Sequence, residues 1–414
     1  MTTLYFGGLD FGTSGSRISI INNNAKVVYE NSTNYIYEFK NPLGWLLACE
    51  KLLDNIPIKI KEKLSKLSIS GTSGTLLACS LNGDNLGNSI PYNESCTIEK
   101  NILDNIAGAN NSIKSPYSSL SKALKLLNIY GPDILLRHQS DWISGWLLKN
   151  WKFGEEGNNL KLGWNISSSS WPENFYHCNW WKSLPNIRKS GDILGKINDS
   201  LAKKFNLNQN LSIVAGTTDS NASYIAAEIN EKDGLAVLGT TIVLKKTISK
   251  PIEEVGITSH RINNQWVCGG SSNAGCGILA KYFSDIELDE LSKQINPKKT
   301  TNLKFIPLND KGERFPVNDP YLEPMVEPRP VSDALFLHAL FEGLANIELR
   351  GWKKLEEFTG AFPKKIITIG GGSKNPQWRM IREKIIKVPI TSCNKNSSYG
   401  SALLALEANN FKSN

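Results

Sequence analysis

The sequence has few of the residues that bind metals or form disulfides, and it has no long hydrophobic run. Seven cysteines occur without a CxxC pair, and four histidines occur without metal-ligand spacing. These patterns argue against a structural zinc site and a disulfide framework. No run of about 18 uncharged apolar residues is present, and no basic stretch precedes an apolar one at the amino terminus. We therefore expect a cytoplasmic protein with reduced cysteines and no membrane partner.

Positive charge is in excess, but it forms no basic cluster. The 414 residues include 47 Lys and Arg against 39 Asp and Glu, which gives a net charge of +8. The lysines are scattered, and those at 59–66 alternate with apolar residues, which is typical of the solvated face of an amphipathic helix. We therefore expect no nucleic-acid partner. The length and the hydrophobic content of 40% indicate a globular protein of two or three domains.

The chain opens with a pattern that recurs in its second half. Alternating apolar residues on both sides of the glycine turn 12–15 predict two strands, and a third strand follows at 26–30. The same order of strand, Gly-Thr turn and strand recurs at 233–247. A spacing of about 230 residues is too long for a solenoid repeat and indicates domain duplication. We therefore predict two related α/β domains, residues 1–229 and 230–414, with the last helix as a candidate to pack back on the first.

Hydrophobic periodicity predicts further elements along the chain. The helical patterns lie at 44–53, 58–67 and 331–358, the strands at 67–70 and 365–369, and a final helix begins at Tyr399. The segment 150–186 is aromatic and irregular, with tryptophans set among Gly, Asn and Ser. This segment is either a loop-rich insertion over a ligand cleft or a cap that covers the core.

Residues 9–17, with the sequence LDFGTSGSR, are suited to bind phosphate. Gly12 and Gly15 allow backbone N–H groups to approach phosphate oxygens, because no Cβ stands in the way. Thr13 and Ser14 add hydroxyl donors, and the carboxylate of Asp10 can hold Mg²⁺ directly or through water. A hairpin also needs glycine, so an ordinary turn is the alternative interpretation.

Two glycine motifs in the second half point to the same chemistry. Gly-Thr-Thr at 239–241 repeats the first turn, although Gly-Thr pairs are also common in ordinary hairpins. Three glycines at 370–372 end a predicted strand, where a nucleobase and ribose could lie against the backbone. There Asn375 can donate or accept a hydrogen bond and Trp378 can stack. The alternative is a helix entry with Trp378 in the core.

Asp219 is the candidate general base. It lies in residues 214–220, VAGTTDS, where a predicted strand gives way to an alanine-rich helix. A carboxylate at this position can cap the helix. It can also accept the proton of a hydroxyl that attacks a γ-phosphate, a reaction that needs positioning, Mg²⁺ and one placed base.

Other phosphate and hydrolase signatures fail on inspection. Residues 191–196 resemble a Walker loop, but only three residues separate the glycines and Ile197 stands where Ser or Thr is required. Residues 275–280 fit GxGxxA without an acidic residue about 20 positions on, which predicts a close-packed helix entry. No GxSxG elbow occurs, which disfavours a hydrolase.

The order of the four motifs resembles that of the FGGY carbohydrate kinases, relatives of actin, hexokinase and the Hsp70 chaperones. The resemblance spans nearly the whole chain, and the strings at 70–75, 138–142, 312–320 and 370–378 are similar to the D-ribulose kinase branch, which is itself xylulose kinase-like. It implies an α/β fold of two actin-like ATPase (RNase H-like) domains, with ATP and sugar in the cleft between them. The implied reaction is Mg²⁺-dependent transfer of the γ-phosphoryl group of ATP to D-ribulose, which gives D-ribulose 5-phosphate.

The resemblance also implies residue roles by position. Asp219 is the base, Asp10 lies near Mg²⁺ and the sugar, and Thr13 faces the γ-phosphate. The nucleotide contacts are Gly12, Thr13, Ser14, Gly239, Thr240, Thr241, Gly370, Gly371, Gly372, Asn375 and Trp378. The sugar contacts are Asp10, Gly15, Thr72, Ser73 and Asp219.

Several functions remain open at the level of sequence. Xylulose, glycerol and polyol kinases share these loops. A non-catalytic nucleotide-binding regulatory protein could use the same fold, although a binding-only module needs no general base such as Asp219 beside Asp10. An actin-like or chaperone-like assembly protein could use it too, although an aromatic insertion over the cleft fits a sugar site better than a filament contact. The oligomeric state, monomer or dimer, is also open.

Overall fold

A computed structural model describes residues 3–108, 113–252, 254–262 and 264–408. The chain forms two compact units. Unit 1 comprises Met1–Ala226, Arg261–Asn264 and Lys395–Asn414, and unit 2 comprises Ala227–His260 and Gln265–Asn394. Among the described residues, no helix combines the length and the apolar character needed to cross a membrane.

The strands and helices of the described residues are as follows. The strands are β1 Tyr5–Phe11, β2 Gly15–Asn22, β3 Val27–Asn34, β4 Leu64–Gly71, β5 Leu76–Cys79, β6 Leu135–His138, β7 Phe153–Glu155, β8 Asn186–Arg188, β9 Ile193–Lys196, β10 Ser212–Val214, β11 Gly234–Leu238, β12 Ile242–Ile248, β13 Ile257–Ile262, β14 Gln265–Ser271, β15 Ile366–Ile369 and β16 Ile390–Ser392. The helices are α1 Pro42–Asp54, α2 Ile58–Lys61, α3 Lys100–Ala107, α4 Ser119–Tyr130, α5 Gln139–Leu148, α6 Glu156–Asn159, α7 Glu173–Tyr176, α8 Asp199–Lys204, α9 Asp219–Ala226, α10 Cys276–Tyr282, α11 Asp285–Gln294, α12 Asp333–Thr359, α13 Pro376–Ile386 and α14 Ser397–Glu407.

Unit 1 is built on a sheet with the strand order β3-β2-β1-β4-β10-β9. β1, β2 and β3 form the predicted antiparallel meander, whereas β1, β4 and β10 run parallel. The chain returns to this sheet with α14, which packs directly on β1. A Cβ at Gly8 would lie 2.1 Å from the carbonyl oxygen of Ser398, so only glycine allows this approach.

The second sheet has the strand order β13-β14-β12-β11-β15-β16. β11 pairs antiparallel with β12 and parallel with β15, which in turn pairs parallel with β16. The long helix α12 contributes many side chains to the core beside this sheet, because its apolar face is wide. Within this core Glu348 and Arg382, both about 1% exposed, form a bidentate ion pair with N–O distances of 2.6 and 2.8 Å.

The two sheets share one topology. Each sheet has one additional edge strand, β9 in the first sheet and β13 in the second. The remaining strands lie in the orders β3-β2-β1-β4-β10 and β14-β12-β11-β15-β16. If the five strands of each set are numbered along the chain, both orders read 3-2-1-4-5. The predicted duplication of an α/β unit is therefore confirmed, and it extends beyond the repeated hairpin.

One predicted helix is wrong. The pattern at 58–67 gives only the single turn α2, and from Leu64 the chain enters β4, where it pairs with β1. Lys61 is 5% exposed and its Nζ donates to the carbonyl oxygen of Asp54 at 2.9 Å, so it does not lie on a solvated face. Pairing with β1 outweighs the local helical period here, since a fully paired central strand satisfies every backbone group.

The tryptophan-rich segment covers a core of its own. Trp171 lies 5.3 Å from Trp164 and 6.1 Å from Phe175, and Phe175 lies 5.2 Å from Trp180, all measured between ring centroids. These rings belong to a cluster that also contains residues of α3, α4, β5 and β6. Of the two interpretations of residues 150–186, the packing supports the cap.

Candidate active site

The parallel strands of unit 1 bring three predicted motifs to one edge. Asp10, next to the end of β1, pairs with Ser70 of β4, and an isolated parallel bridge joins Gly71 to Thr218, which precedes Asp219. Ligands of parallel α/β sheets bind at the carboxyl ends of the strands. The fold therefore places Asp10, the turn that follows β4 and Asp219 at the edge where a ligand is expected.

Asp10 is 5% exposed and accepts two hydroxyl hydrogen bonds. Ser70 Oγ donates to Oδ1 at 2.9 Å, and Ser397 Oγ donates to Oδ2. Burial raises the pKa of Asp10 above its ordinary value, while these hydroxyls and the charge of Arg17 act in the opposite direction. Ser397 begins α14, so the carboxylate is oriented by a residue from the other end of the chain.

The first glycine turn closes the β1–β2 hairpin at this edge. Gly12 N–H donates to the carbonyl oxygen of Gly15 at 3.0 Å, and Thr13 and Ser14 are exposed at the tip. A polar cavity of about 230 Å³ is lined by Asp10, by residues 12–17 and by residues 32–34. The predicted phosphate-binding residues therefore share one cavity.

Gly15 has a packing role that the sequence did not reveal. A Cβ at this position would lie 2.3 Å from the carbonyl oxygen of Thr33 in β3. Glycine is needed here because β3 approaches closely, and this contact explains Gly15 without a sugar. At Gly12 a Cβ would meet only the carbonyl oxygen of Gly15, at 3.4 Å, so its backbone is the more open of the two.

The segment 71–75, called here the 71–75 turn, follows β4. Gln139 holds both of its ends: its Oε1 accepts from Thr72 N at 3.0 Å and from Thr72 Oγ1 at 2.9 Å, and its backbone N–H donates to the carbonyl oxygen of Thr75 at 3.2 Å. Thr72 is 3% exposed, and Ser73 lies half-buried at the tip. Of the two predicted sugar contacts here, only Ser73 is near the surface.

Asp219 is the first residue of α9 and is half-buried. Its Oδ1 accepts the N–H of Ser220 at 2.7 Å. The preceding residue, Thr218, accepts the N–H of Asn221 through Oγ1 at 3.3 Å. The end of the helix is therefore capped by Thr218, which weakens helix capping as the whole explanation of Asp219.

The second glycine turn repeats the first. Gly239 N–H donates to the carbonyl oxygen of Thr241 at 3.2 Å, and no atom comes closer than 3.7 Å to a Cβ built at Gly239. A Cβ at Gly275 would lie 2.5 Å from the carbonyl oxygen of Thr240. The predicted close-packed helix entry at 275–280 is therefore confirmed, and it lies against the Gly-Thr-Thr hairpin.

The glycines at 370–372 have different surroundings. Gly370 has φ +91° and its Cβ would lie 2.5 Å from the carbonyl oxygen of Leu238, so the backbone requires glycine. A Cβ at Gly372 would collide with the ring of Trp378 at 2.4 Å. Nothing lies within 4 Å of a Cβ at Gly371, and this residue offers the open backbone of the three.

Asn375 and Trp378 make contacts within unit 2 that the motif did not indicate. Asn375 caps α13 by accepting Trp378 N–H at 2.9 Å, and its Nδ2 donates to Ser292 Oγ at 2.7 Å. The ring of Trp378 is 1% exposed and stacks on Phe341, with centroids 5.2 Å apart and planes at 6°. This packing favours the core interpretation of Trp378 over stacking on a nucleobase.

Sequence reasoning missed several residues that shape the edge of unit 1. They are Ser70, Lys122, Gln139 and Ser397, which contact Asp10 or the 71–75 turn. None was assigned a role, although Ser70 and Gln139 lie in the strings 70–75 and 138–142 that carried part of the family resemblance. Their signal is tertiary, because each bond joins residues at least 48 positions apart.

Comparison with known proteins agrees with this geometry. Residues 234–408 match the model of the C-terminal domain of the FGGY family of carbohydrate kinases. The xylulose kinase of Lactococcus lactis is 23% identical over 413 residues, which cover 90% of this chain and 81% of that protein.

Two solved structures show the same fold. The ligand-bound xylulose kinase from Lactobacillus acidophilus has a TM-score of 0.81 at 19% identity, covering 98% of this chain and 89% of that one. The Plasmodium falciparum glycerol kinase with ADP has a TM-score of 0.80 at 17% identity, covering 98% and 90%. These kinases have the actin-like ATPase fold. Residues 234–408 therefore match an FGGY carbohydrate kinase C-terminal domain, and the chain as a whole is similar to xylulose kinases.

Proposed function

We propose that this protein transfers the γ-phosphoryl group of ATP to a hydroxyl of a pentulose, either D-ribulose or D-xylulose. The observation that carries the proposal is the meeting of Asp10, the 71–75 turn and Asp219 at one edge of unit 1. The local strings favour D-ribulose, whereas the xylulose kinase relative favours D-xylulose.

In unit 1 we assign the sugar and the base. Asp219 accepts the proton of the attacking hydroxyl, and Ser73, at the half-buried tip of the 71–75 turn, contacts the sugar. Thr13 and Ser14 direct hydroxyls toward the transferred phosphoryl group. Phosphoryl transfer needs little covalent help from the protein, so one base and well-placed donors suffice.

In unit 2 we assign the nucleotide. The turn 239–241 offers N–H and hydroxyl donors to phosphates, and the open backbone at Gly371 allows a nucleoside to approach. Gly370 and Gly372 shape this backbone, Trp378 supports it from within the core, and half-buried Asn375 caps the helix that follows. The functional domains are then residues 1–229 and 230–414, with α14 serving the first.

Asp10 fits a magnesium ion that is bound chiefly by ATP. In the described part of the chain, no group of three or more His, Cys, Asp or Glu side chains could hold a metal ion. Mg²⁺ commonly takes one or two carboxylates and completes its shell with water and substrate phosphates. Asp10 lines the polar cavity beside Thr13 and would hold the ion directly or through water. When bound, Mg²⁺ neutralises charge on the phosphates.

A panel of acceptors tests the proposal. ADP release is measured with D-ribulose, D-xylulose, glycerol and other polyols and aldoses, each at several concentrations. We expect strong dependence on a pentulose. A preference for glycerol would show that the acceptor is a polyol and not a pentulose. ATP turnover indifferent to every acceptor would favour the non-catalytic nucleotide-binding protein and overturn the kinase.

A further inference from the structure

Two lysines bind the tip of the 71–75 turn. Lys122 Nζ donates to the carbonyl oxygen of Gly74 at 2.8 Å, and Lys161 Nζ donates to the carbonyl oxygen of Ser73 at 3.4 Å. Lys122 lies on α4 and has no exposed surface, whereas Lys161 is exposed. Successive carbonyl groups at the tip therefore each receive an ammonium group.

Lys122 is a buried cation without an acidic partner. Among the described residues no carboxylate lies within 4.0 Å of its ammonium group, and Glu94, the nearby acid, pairs with Lys125 at 3.7 Å. Burying an unpaired ammonium group is costly. The bond that the structure shows for this ammonium group is the one to the carbonyl oxygen of Gly74.

The surroundings of Lys122 lower its pKa. Burial contributes most and the charge of Lys161 adds to it, whereas Cys96 and Glu94 act in the opposite direction, so that the pKa falls to about 8. His138 lies near the same group, and its own pKa is depressed by burial and by Lys122. A neutral imidazole adds no charge beside Lys122.

The tip of the 71–75 turn depends on the hydrogen bond from Lys122 to Gly74, because the bonds from Gln139 hold only the ends of the turn. Gln139 holds Thr72 and Thr75 through three hydrogen bonds. Gly74, between them, has φ +94° and no side chain to restrict it. An ammonium bound to its carbonyl oxygen fixes the direction of the peptide group, and thereby the direction in which Ser73 presents its polar atoms.

We propose that charged Lys122 is a positioning residue for the sugar, which it aligns by fixing the Ser73–Gly74 tip, so that sugar affinity falls when Lys122 loses its proton. The proposal rests on the assignment of the 71–75 turn to the sugar. It requires no contact between Lys122 and substrate.

The test compares the wild type with Lys122→Met, which keeps an unbranched side chain one atom shorter and removes the ammonium group. KM for the preferred pentulose and KM for ATP are measured from pH 7 to pH 9.5. At pH 7 we expect the variant to show a sugar KM raised about tenfold, as for loss of a hydrogen bond to a charged group, with kcat and ATP KM unchanged. In the wild type the sugar KM should rise similarly as the pH passes about 8, and in the variant it should stay flat.

The pH dependence of the free energy of unfolding gives an independent test of the charge on Lys122. The pKa of Lys122 is near 8 in the folded chain and 10.5 for the unperturbed side chain, so between these values the unfolded chain binds more protons. The stability of the wild type relative to Lys122→Met should therefore rise over this window while its sugar affinity falls. Two changes of opposite sign cannot come from general alkaline unfolding.

Lys125→Met is the matched control, because Lys125 lies on the same helix at the surface. It should leave the sugar KM and its pH profile unchanged. A sugar KM of Lys122→Met equal to that of the wild type would overturn the proposal, and so would a flat wild-type profile, which decides the matter if the variant does not fold. If the wild type shows no sugar-dependent turnover at all, the kinase assignment fails and the positioning role fails with it.

Discussion

The two sheets have the same strand order, yet their carboxyl edges carry different chemistry. The edge of unit 1 holds carboxyl and hydroxyl groups, with Asp10 bonded to Ser70 and Ser397 and with Asp219 at the start of α9. The edge of unit 2 holds glycines, of which Gly371 is open and Gly370 adopts φ +91°. In the proposed function, carboxyl and hydroxyl side chains serve at the first edge, whereas glycine backbone serves at the second together with the hydroxyls of Thr240 and Thr241.

This difference is what a duplicated fold needs for phosphoryl transfer. A nucleotide is recognised well by backbone N–H groups, which glycine leaves accessible. The acceptor needs a base and directed hydroxyls, which only side chains provide. Two sheets of one topology can thus serve the two ends of the proposed reaction through different groups at their edges.

The largest effect is expected at Asp219. Asp219→Asn keeps the shape of the side chain and removes the base, so kcat should fall about 10²–10⁴-fold while ATP binding and thermal stability stay near wild type. Asp199→Asn is the control, because Asp199 is likewise the first residue of its helix. Steady-state kinetics would contradict the assignment if Asp219→Asn kept a kcat within threefold of wild type.

Trp378 should affect stability and leave chemistry alone. Trp378→Ala empties a buried site beside Phe341 and should cost about 3–5 kcal/mol of the free energy of unfolding. Denaturant unfolding measures this loss, and kinetics below the new Tm should show an ATP KM close to wild type. Trp181→Ala, at a ring that is 39% exposed, should cost far less. A raised ATP KM with unchanged stability would return Trp378 to the nucleotide pocket.

The smallest expected effects come from the threonines of the two glycine hairpins, and they distinguish the roles of these hairpins. Thr13→Ala should lower kcat and Thr240→Ala should raise the KM for ATP, each about three- to tenfold, as expected for one hydrogen bond. Thr13→Ser and Thr240→Ser keep the hydroxyls and should behave as wild type. If the two alanine variants gave the same kinetic change, the proposed division between the hairpins would not hold.

Several elements were predictable because local pattern and tertiary structure agree there. The opening meander, α12 and the second hairpin follow the predicted alternation and helical period. The helix predicted at 58–67 did not form over its full length, because pairing β4 with β1 stabilises this segment more than a short amphipathic helix would. The Gly-x-x-Asn and Trp378 pattern was read as a ligand pocket, whereas its polar and aromatic groups are used within the helix cap and the core.

The sequence alone determined the duplicated hairpins, the resemblance to the FGGY carbohydrate kinases and the order of the motifs, since these depend on neighbours along the chain. Tertiary structure decided that Ser397 orients Asp10 and that Lys122 binds the 71–75 turn. Such contacts join residues 387 and 48 positions apart. No local pattern records them, because a buried polar group takes its partner from whichever segment the fold brings within hydrogen-bonding distance.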